Sequence, residues 1–125
     1  IMGPSGSGKS DLALRLIDRG AKLVSDDQVI ASREKDVISL NSPANIAGKI
    51  ELYSVGIFDI PFVKDVHLSM IVQLSPNSDR YPLDCPTLPL MELDVPAISL
   101  DGRKIAAPIK VEMALSRIAE MDIQS

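Results

Sequence analysis

Eight residues near the start of this chain constrain it more than any others. Gly3-Pro4-Ser5-Gly6-Ser7-Gly8-Lys9-Ser10 satisfies the pattern G-x-x-x-x-G-K-[S/T] at every fixed position. With glycine near 7% of average composition, a chance match in a chain this long is roughly a 1-in-200 event. A flexible Gly/Ser turn is the plain alternative. Each part of the pattern has a chemical purpose. Glycines let consecutive backbone N–H groups curl around phosphate oxygens, and the helix that follows presents its positive end to the same anion. Lys9 supplies a cation for the β- and γ-phosphates, and the Ser10 hydroxyl is a ligand for Mg²⁺. The motif leaves the reaction open, because GTPases, ATPases, small-molecule kinases and unusual protein kinases all use it.

The surroundings fit. Residues 9–19 place Leu12, Ala13, Leu16 and Ile17 on one face, and Gly20 stands where a C-terminal cap belongs. Residues 21–25, apolar at Leu23 and Val24, read as a short buried strand ending at Asp26-Asp27. Two adjacent carboxylates repel unless a cation or a proton shares their site. Beside a phosphate loop they suggest one group serving a metal and one acting as a base; an acidic turn is the structural alternative.

Further along, residues 28–32 and 37–40 flank the polar tip Arg33-Glu34-Lys35-Asp36, a predicted hairpin. Residues 41–48 read as a loop. Val66, Leu68, Met70, Val72 and Leu74 alternate with His67, Ser69 and Gln73, broken only by Ile71, and predict one strand, with His67 in a solvated structural role. Residues 75–89 hold four prolines and predict a mobile loop, and residues 90–100 predict short strands around Pro96. Pro108 in a first turn opens a terminal helix. Met70, Met91, Met113 and Met121 read as core residues. The order is β-rich between two helices, unlike the strict alternation of a doubly wound sheet.

Composition narrows the classes. The chain has 125 residues, 46% apolar and 24% charged, which suits one packed domain. Its net charge of -4, with no basic run, disfavours nucleic acid as a partner. No apolar stretch approaches the roughly 20 residues that span a bilayer, so no membrane role is expected and the reading is cytoplasmic. Cys85, the one cysteine, has no internal disulfide partner and reads as an inert thiol. The chain opens at Ile1, two residues before the glycine loop, and is read as trimmed before the strand that normally leads into such a loop.

Taken together, residues 3–14, then Asp18-Arg19-Gly20, then Leu23-Val24-Ser25-Asp26-Asp27, are similar in order and spacing to HPr kinase/phosphorylase, in its short branch with the catalytic domain only. Ile50-Glu51-Leu52-Tyr53-Ser54-Val55-Gly56-Ile57 resembles the family signature, roughly E-V-R-G-x-G-I. Asp79-Arg80 and Asp101-Gly102-Arg103 resemble two later elements.

The resemblance implies a single catalytic domain over residues 1–125 with an α/β P-loop kinase fold of the phosphoenolpyruvate carboxykinase-like type: a β-rich core, a P-loop helix and a C-terminal helix. It implies ATP- and Mg²⁺-dependent phosphorylation of a serine of HPr, the phosphocarrier of the sugar phosphotransferase system, with phosphorolysis by inorganic phosphate in reverse. A homohexamer is implied in the same way. The implied roles are nucleotide binding by Gly3 to Ser10, catalysis by Lys9, Asp27 and Arg80, and metal binding by Ser10, Glu51 and Asp26. Asp101, Gly102 and Arg103 belong to the loop associated with phosphorolysis. Where the signature has arginine and glycine, this chain has Tyr53 and Ser54; a neutral tyrosine cannot supply a guanidinium's charge, which implies weakened phosphorolysis. Two alternatives follow: a nucleotide-binding regulatory domain with decayed catalysis, and a small-molecule P-loop kinase.

Overall fold

The computed structural model describes residues 1–4, 6–75 and 87–124, the last four by backbone alone. Ser5, Arg80, Cys85 and most of the expected 75–89 loop lie outside the described residues. In chain order the elements are α1 (Lys9–Asp18), β1 (Ile30–Glu34), β2 (Val37–Asn41), β3 (Lys49–Leu52), β4 (Gly56–Asp59), β5 (Val66–His67), β6 (Ile71–Leu74), β7 (Thr87–Leu90), β8 (Leu93–Leu100) and α2 (Ala107–Gln124). This mixed α/β content divides into two compact units: Ile1–Leu12 with Ser69–Ser125, and Ala13–Leu68.

The first unit is built on a sheet of order β6-β8-β7. β6 and β8 run parallel, from Ile71 opposite Ala97 to Leu74 opposite Leu100. Met2 lies parallel to Gln73, donating its N–H to the Val72 carbonyl at 2.7 Å and accepting from Leu74 N–H at 2.8 Å. The residues before the glycine loop therefore act as a strand beside β6. β7 is antiparallel to β8, from Thr87 opposite Pro96 to Leu90 opposite Leu93, across a turn whose Met91 and Glu92 both have positive φ. That geometry matches the right-handed strand twist. Ile71, Val72, Leu74, Val95, Ala97 and Leu100 are buried along the sheet, with Ala107 and Val111 of α2.

Pro96 does not interrupt β8, contrary to the expectation of short strands around it. It pairs with Thr87, the first residue of β7, and the ladder to β6 begins one residue later at Ala97. A missing N–H costs least where one ladder hands over to another.

The second unit holds a sheet of order β1-β2-β5 and a separate β3-β4 ribbon. β1 and β2 form the expected hairpin with a tighter tip, Lys35-Asp36, where Lys35 has φ +55°. Gly48 opens the ribbon at φ +75°, where a Cβ would stand 3.0 Å from the Ile60 carbonyl oxygen; only glycine fits there. Leu23, Ile38 and Ile50 are the buried core residues, Ile50 at 1% exposure.

Residues 87–89, expected in the 75–89 loop, belong to strand β7, and three further expectations need correcting. Among the described residues, 21–25 form no ladder; Leu23 makes an isolated parallel bridge to Phe62 and accepts from Val63 N–H at 2.8 Å. The alternating run Val66–Leu74 is two strands: β5 pairs with β2, while β6 pairs with β8. The methionines are not uniformly core, since Met91 is exposed and Met113 of α2 is 69% exposed. Apolar character alone misled there, because the buried side of α2 is set by Ala107 and Val111. Among the described residues no helix is long and apolar enough to cross a membrane.

Candidate active site

Three parallel strand segments of the first unit end at one edge, and each passes directly into a loop. Met2 leads into the glycine loop, Leu74 into Ser75, and Leu100 into Asp101-Gly102-Arg103. Open α/β sheets bind ligands outside the carboxyl ends of their strands. Here Pro4, Gly6, Ser7, Ser75, Asp101, Gly102 and Arg103 line a pocket of about 170 Å³.

The glycine loop has its shape for steric reasons. Gly6 and Gly8 have φ of +79° and +92°, which side chains rarely adopt. A Cβ on Gly3 would stand 2.6 Å from Ser7 Oγ and 3.2 Å from Leu74 Cβ. α1 starts at once, its first bond running from Leu12 N–H to the Gly8 carbonyl at 2.9 Å. Leu12, fully buried, anchors that turn. Lys9 bends back so that Nζ donates to the Gly3 carbonyl at 2.6 Å and reaches the Pro4 carbonyl at 3.5 Å, holding its cation over the loop. Ser7 Oγ is buried with no hydrogen-bond partner among the described residues. A buried hydroxyl left this way is short of a partner that an anionic oxygen supplies.

The facing loop is fixed by its own groups. Gly102 is buried, and a Cβ there would stand 2.9 Å from Leu74 Cδ1. Leu74 thus packs under both glycine-containing loops. Arg103 donates from its backbone N–H to Asp101 Oδ1 at 3.0 Å, from Nε to Oδ1 at 3.1 Å and from Nη2 to Oδ2 at 3.4 Å. These bonds hold the Asp101 carboxyl below the usual carboxylate range, with the guanidinium hydrogen bond the largest cause. The same bonds raise Arg103.

The second unit carries the other expected carboxylates. Asp26 Oδ2 accepts the backbone N–H of Glu51 at 3.0 Å, so the turn after Leu23 and strand β3 are tied together. Asp27 follows on the same turn and is exposed, as is Glu51. Tyr53, at the ribbon tip, is 96% exposed, and Ser54 beside it has φ +67°. The ribbon ends are clamped by a Lys49–Asp59 ion pair at 3.0 Å.

The expected residues thus fall into two sets. Gly3, Pro4, Gly6, Ser7, Gly8, Lys9, Asp101, Gly102 and Arg103 gather in the first unit, with Ser10 on the first turn of α1. Asp26 and Glu51 meet in the second through a side chain and a backbone N–H, with Asp27 adjacent. Ser5 and Arg80 lie outside the described residues. Sequence reasoning missed Ser75 as a pocket residue. Its signal is positional, the first residue past a strand end, and becomes readable only once β6 is separated from β5.

Comparison with known proteins gives a consistent result. The HPr Serine kinase C-terminal domain family matches residues 1–125. HPr kinase/phosphorylase of Brevibacillus brevis is 36% identical over 97% of this chain, and that of Clostridium novyi is 34% identical over 97%. The chain spans 44% of the length of each of those relatives. The solved structure of the Hpr(Ser) kinase/phosphatase from Coxiella burnetii superposes with a TM-score of 0.81 at 26% identity, over 99% of this chain and 88% of that one. With its glycine loop at the carboxyl edge of parallel strands and a family match along its whole length, this chain belongs to the HPr serine kinase C-terminal domain family.

Proposed function

We propose that this chain is the catalytic domain of a soluble, cytoplasmic enzyme that transfers a phosphoryl group from ATP to a serine of HPr, and reverses that transfer by phosphorolysis with inorganic phosphate. The observation that carries the reading is the convergence of three strand ends on one pocket, with Lys9 over the glycine loop and Arg103 opposite. The names and overlap of its relatives support HPr as the acceptor. A P-loop kinase fold of the phosphoenolpyruvate carboxykinase-like type, and a homohexameric assembly, belong to the same reading.

The residues present fit a nucleotide phosphate. The loop folds too closely at Gly3 for any side chain, since a Cβ there would collide with Ser7, and Ser7 Oγ has no partner among the described residues. Ser10, Asp26 and Glu51 are hard oxygen donors of the kind Mg²⁺ takes, and we assign them to it. Bound Mg²⁺ neutralises charge on the phosphates.

Within this reading the residues divide the work between position and charge. Lys9 and the loop N–H groups hold the phosphates. Asp27 accepts the proton of the HPr serine as its oxygen forms a bond to the γ-phosphorus and ADP leaves. In reverse, inorganic phosphate takes the phosphoryl group from phosphoserine, giving pyrophosphate, and Asp27 returns the proton. Arg80 stabilises charge on the phosphoryl group in flight. The test is an Asp27→Asn variant incubated with labelled ATP, Mg²⁺ and HPr: nucleotide binding is expected to persist while transfer falls about 100-fold or more. Unchanged transfer removes Asp27 from the mechanism. ATP binding by the parent without transfer would favour the regulatory alternative.

A further inference from the structure

We propose that Asp101 is a positioning residue: its carboxylate holds the Arg103 guanidinium beside the glycine loop, so that the arginine meets an anion there as a fixed group. The inference rests on reading the pocket as a phosphate cradle and adds to it a residue that acts through another.

Asp101 is the first residue past β8, and its side chain is only 11% exposed, against 64% for Arg103. The carboxylate is therefore set into the edge while the guanidinium stands out from it. Two kinds of bond leave Asp101. One closes the local turn, through Oδ1 and the Arg103 backbone N–H at 3.0 Å. The other grips the guanidinium side-on, through Nε and Nη2. A guanidinium has five N–H donors, and this grip engages only two of its nitrogens, leaving Nη1 for a second anion. The stem runs toward the loop, because a Cβ on Gly8 would lie 3.6 Å from Arg103 Cγ. Gly102 leaves no room for a side chain against Leu74, so this turn passes close over the sheet edge.

A free arginine side chain gives up rotamer freedom when it binds an anion. One already held by a carboxylate and a glycine floor gives up less, which favours binding through preorganisation. The same carboxylate repels an incoming anion, and only its pairing with Arg103 offsets that. Asp101 should thus help binding when Arg103 is present and oppose it when Arg103 is gone.

Asparagine separates the two kinds of bond. In Asp101→Asn the amide oxygen still accepts the turn N–H, but the charge and the second acceptor are lost. The experiment measures binding of inorganic pyrophosphate with Mg²⁺ to the intact protein by titration calorimetry, for the parent, Asp101→Asn, Arg103→Ala and the double variant. Asp101→Asn is expected to melt like the parent and to bind pyrophosphate about tenfold more weakly, within the range of coupling between contacting residues. In the Arg103→Ala background the same change is expected to cost nothing or to tighten binding. Arg103→Lys, which keeps the charge but cannot be gripped side-on, should lose about as much as Asp101→Asn.

Parent-like or tighter binding by Asp101→Asn, an equal loss in both backgrounds, or parental affinity in Arg103→Lys would each overturn the proposal. Transfer to HPr is followed on the same samples. A parent that binds pyrophosphate but transfers nothing sinks the kinase reading and leaves the cycle to decide this one. A parent that transfers but shows no coupling between positions 101 and 103 sinks this inference alone.

Discussion

The carboxyl edge of the parallel strands and the β3–β4 ribbon each carry residues expected at the site, and they hold them in opposite ways. At the edge, loops are fixed from below: Leu74 packs under Gly3 and Gly102, and an added methyl at either meets an atom within 3 Å. On the ribbon, only Ile50 is deeply buried, while Tyr53, Val55, Ile57 and Phe58 face outward. Asp26 is joined to the ribbon through the backbone of Glu51, a bond indifferent to the side chain at position 51. A phosphate cradle must be preformed, because its donors are backbone groups that cannot be re-aimed one at a time. The ribbon tip, with Tyr53 96% exposed, can change its side chains at little cost to the fold.

Substitutions should separate the two regions sharply. The largest effect is expected at Lys9→Ala, which removes the cation over the loop; transfer should fall about 100-fold or more, as for the loss of a preorganised charge-stabilising donor. Parent-like transfer in a radiolabel assay would take the edge out of the chemistry. Next comes Gly102→Ala, whose methyl meets Leu74 at 2.9 Å. Overpacking of this kind costs about 1–3 kcal/mol, readable as a lower denaturation midpoint together with weaker nucleotide binding. A variant as stable as the parent would mean that Leu74 yields freely.

On the ribbon, Tyr53→Arg should leave stability within about 0.5 kcal/mol, as at other exposed positions, and raise phosphorolysis severalfold. A large loss of stability would contradict the free tip, and unchanged phosphorolysis would show that tyrosine is not what limits it.

The smallest effect concerns pH. The Asp101 carboxyl is held below its usual range by Arg103, so its grip is fully present above the usual carboxylate range and is lost as pH falls through the depressed value. The Arg103 Nε–H resonance should therefore shift only at pH below that of an ordinary aspartate. A shift near neutral pH would mean that another group governs the pair.

The edge was readable in sequence because its chemistry is contiguous: the glycine loop, Lys9, Ser10 and the periodic face of α1 lie in one short run. The hairpin at Lys35-Asp36 was readable for the same reason. What escaped depends on pairing between distant residues. Alternation from Val66 persists through Met70, and the single break at Ile71, where β6 begins, does not say that β5 joins β2 while β6 joins β8. The bond between Asp26 and Glu51 spans 25 positions and uses a backbone N–H that carries no sequence signal. Pro96 reads as a break in sequence because its neighbours' ladders, not its own residue type, decide whether it is tolerated.

The most direct test of the whole account is the fate of the γ-phosphate when the intact protein meets labelled ATP, Mg²⁺ and HPr. The account predicts label on a serine of HPr, lost in Lys9→Ala and in Asp27→Asn alike, with nucleotide still bound by the latter. Label that never reaches HPr, or reaches it undiminished in both variants, would contradict it.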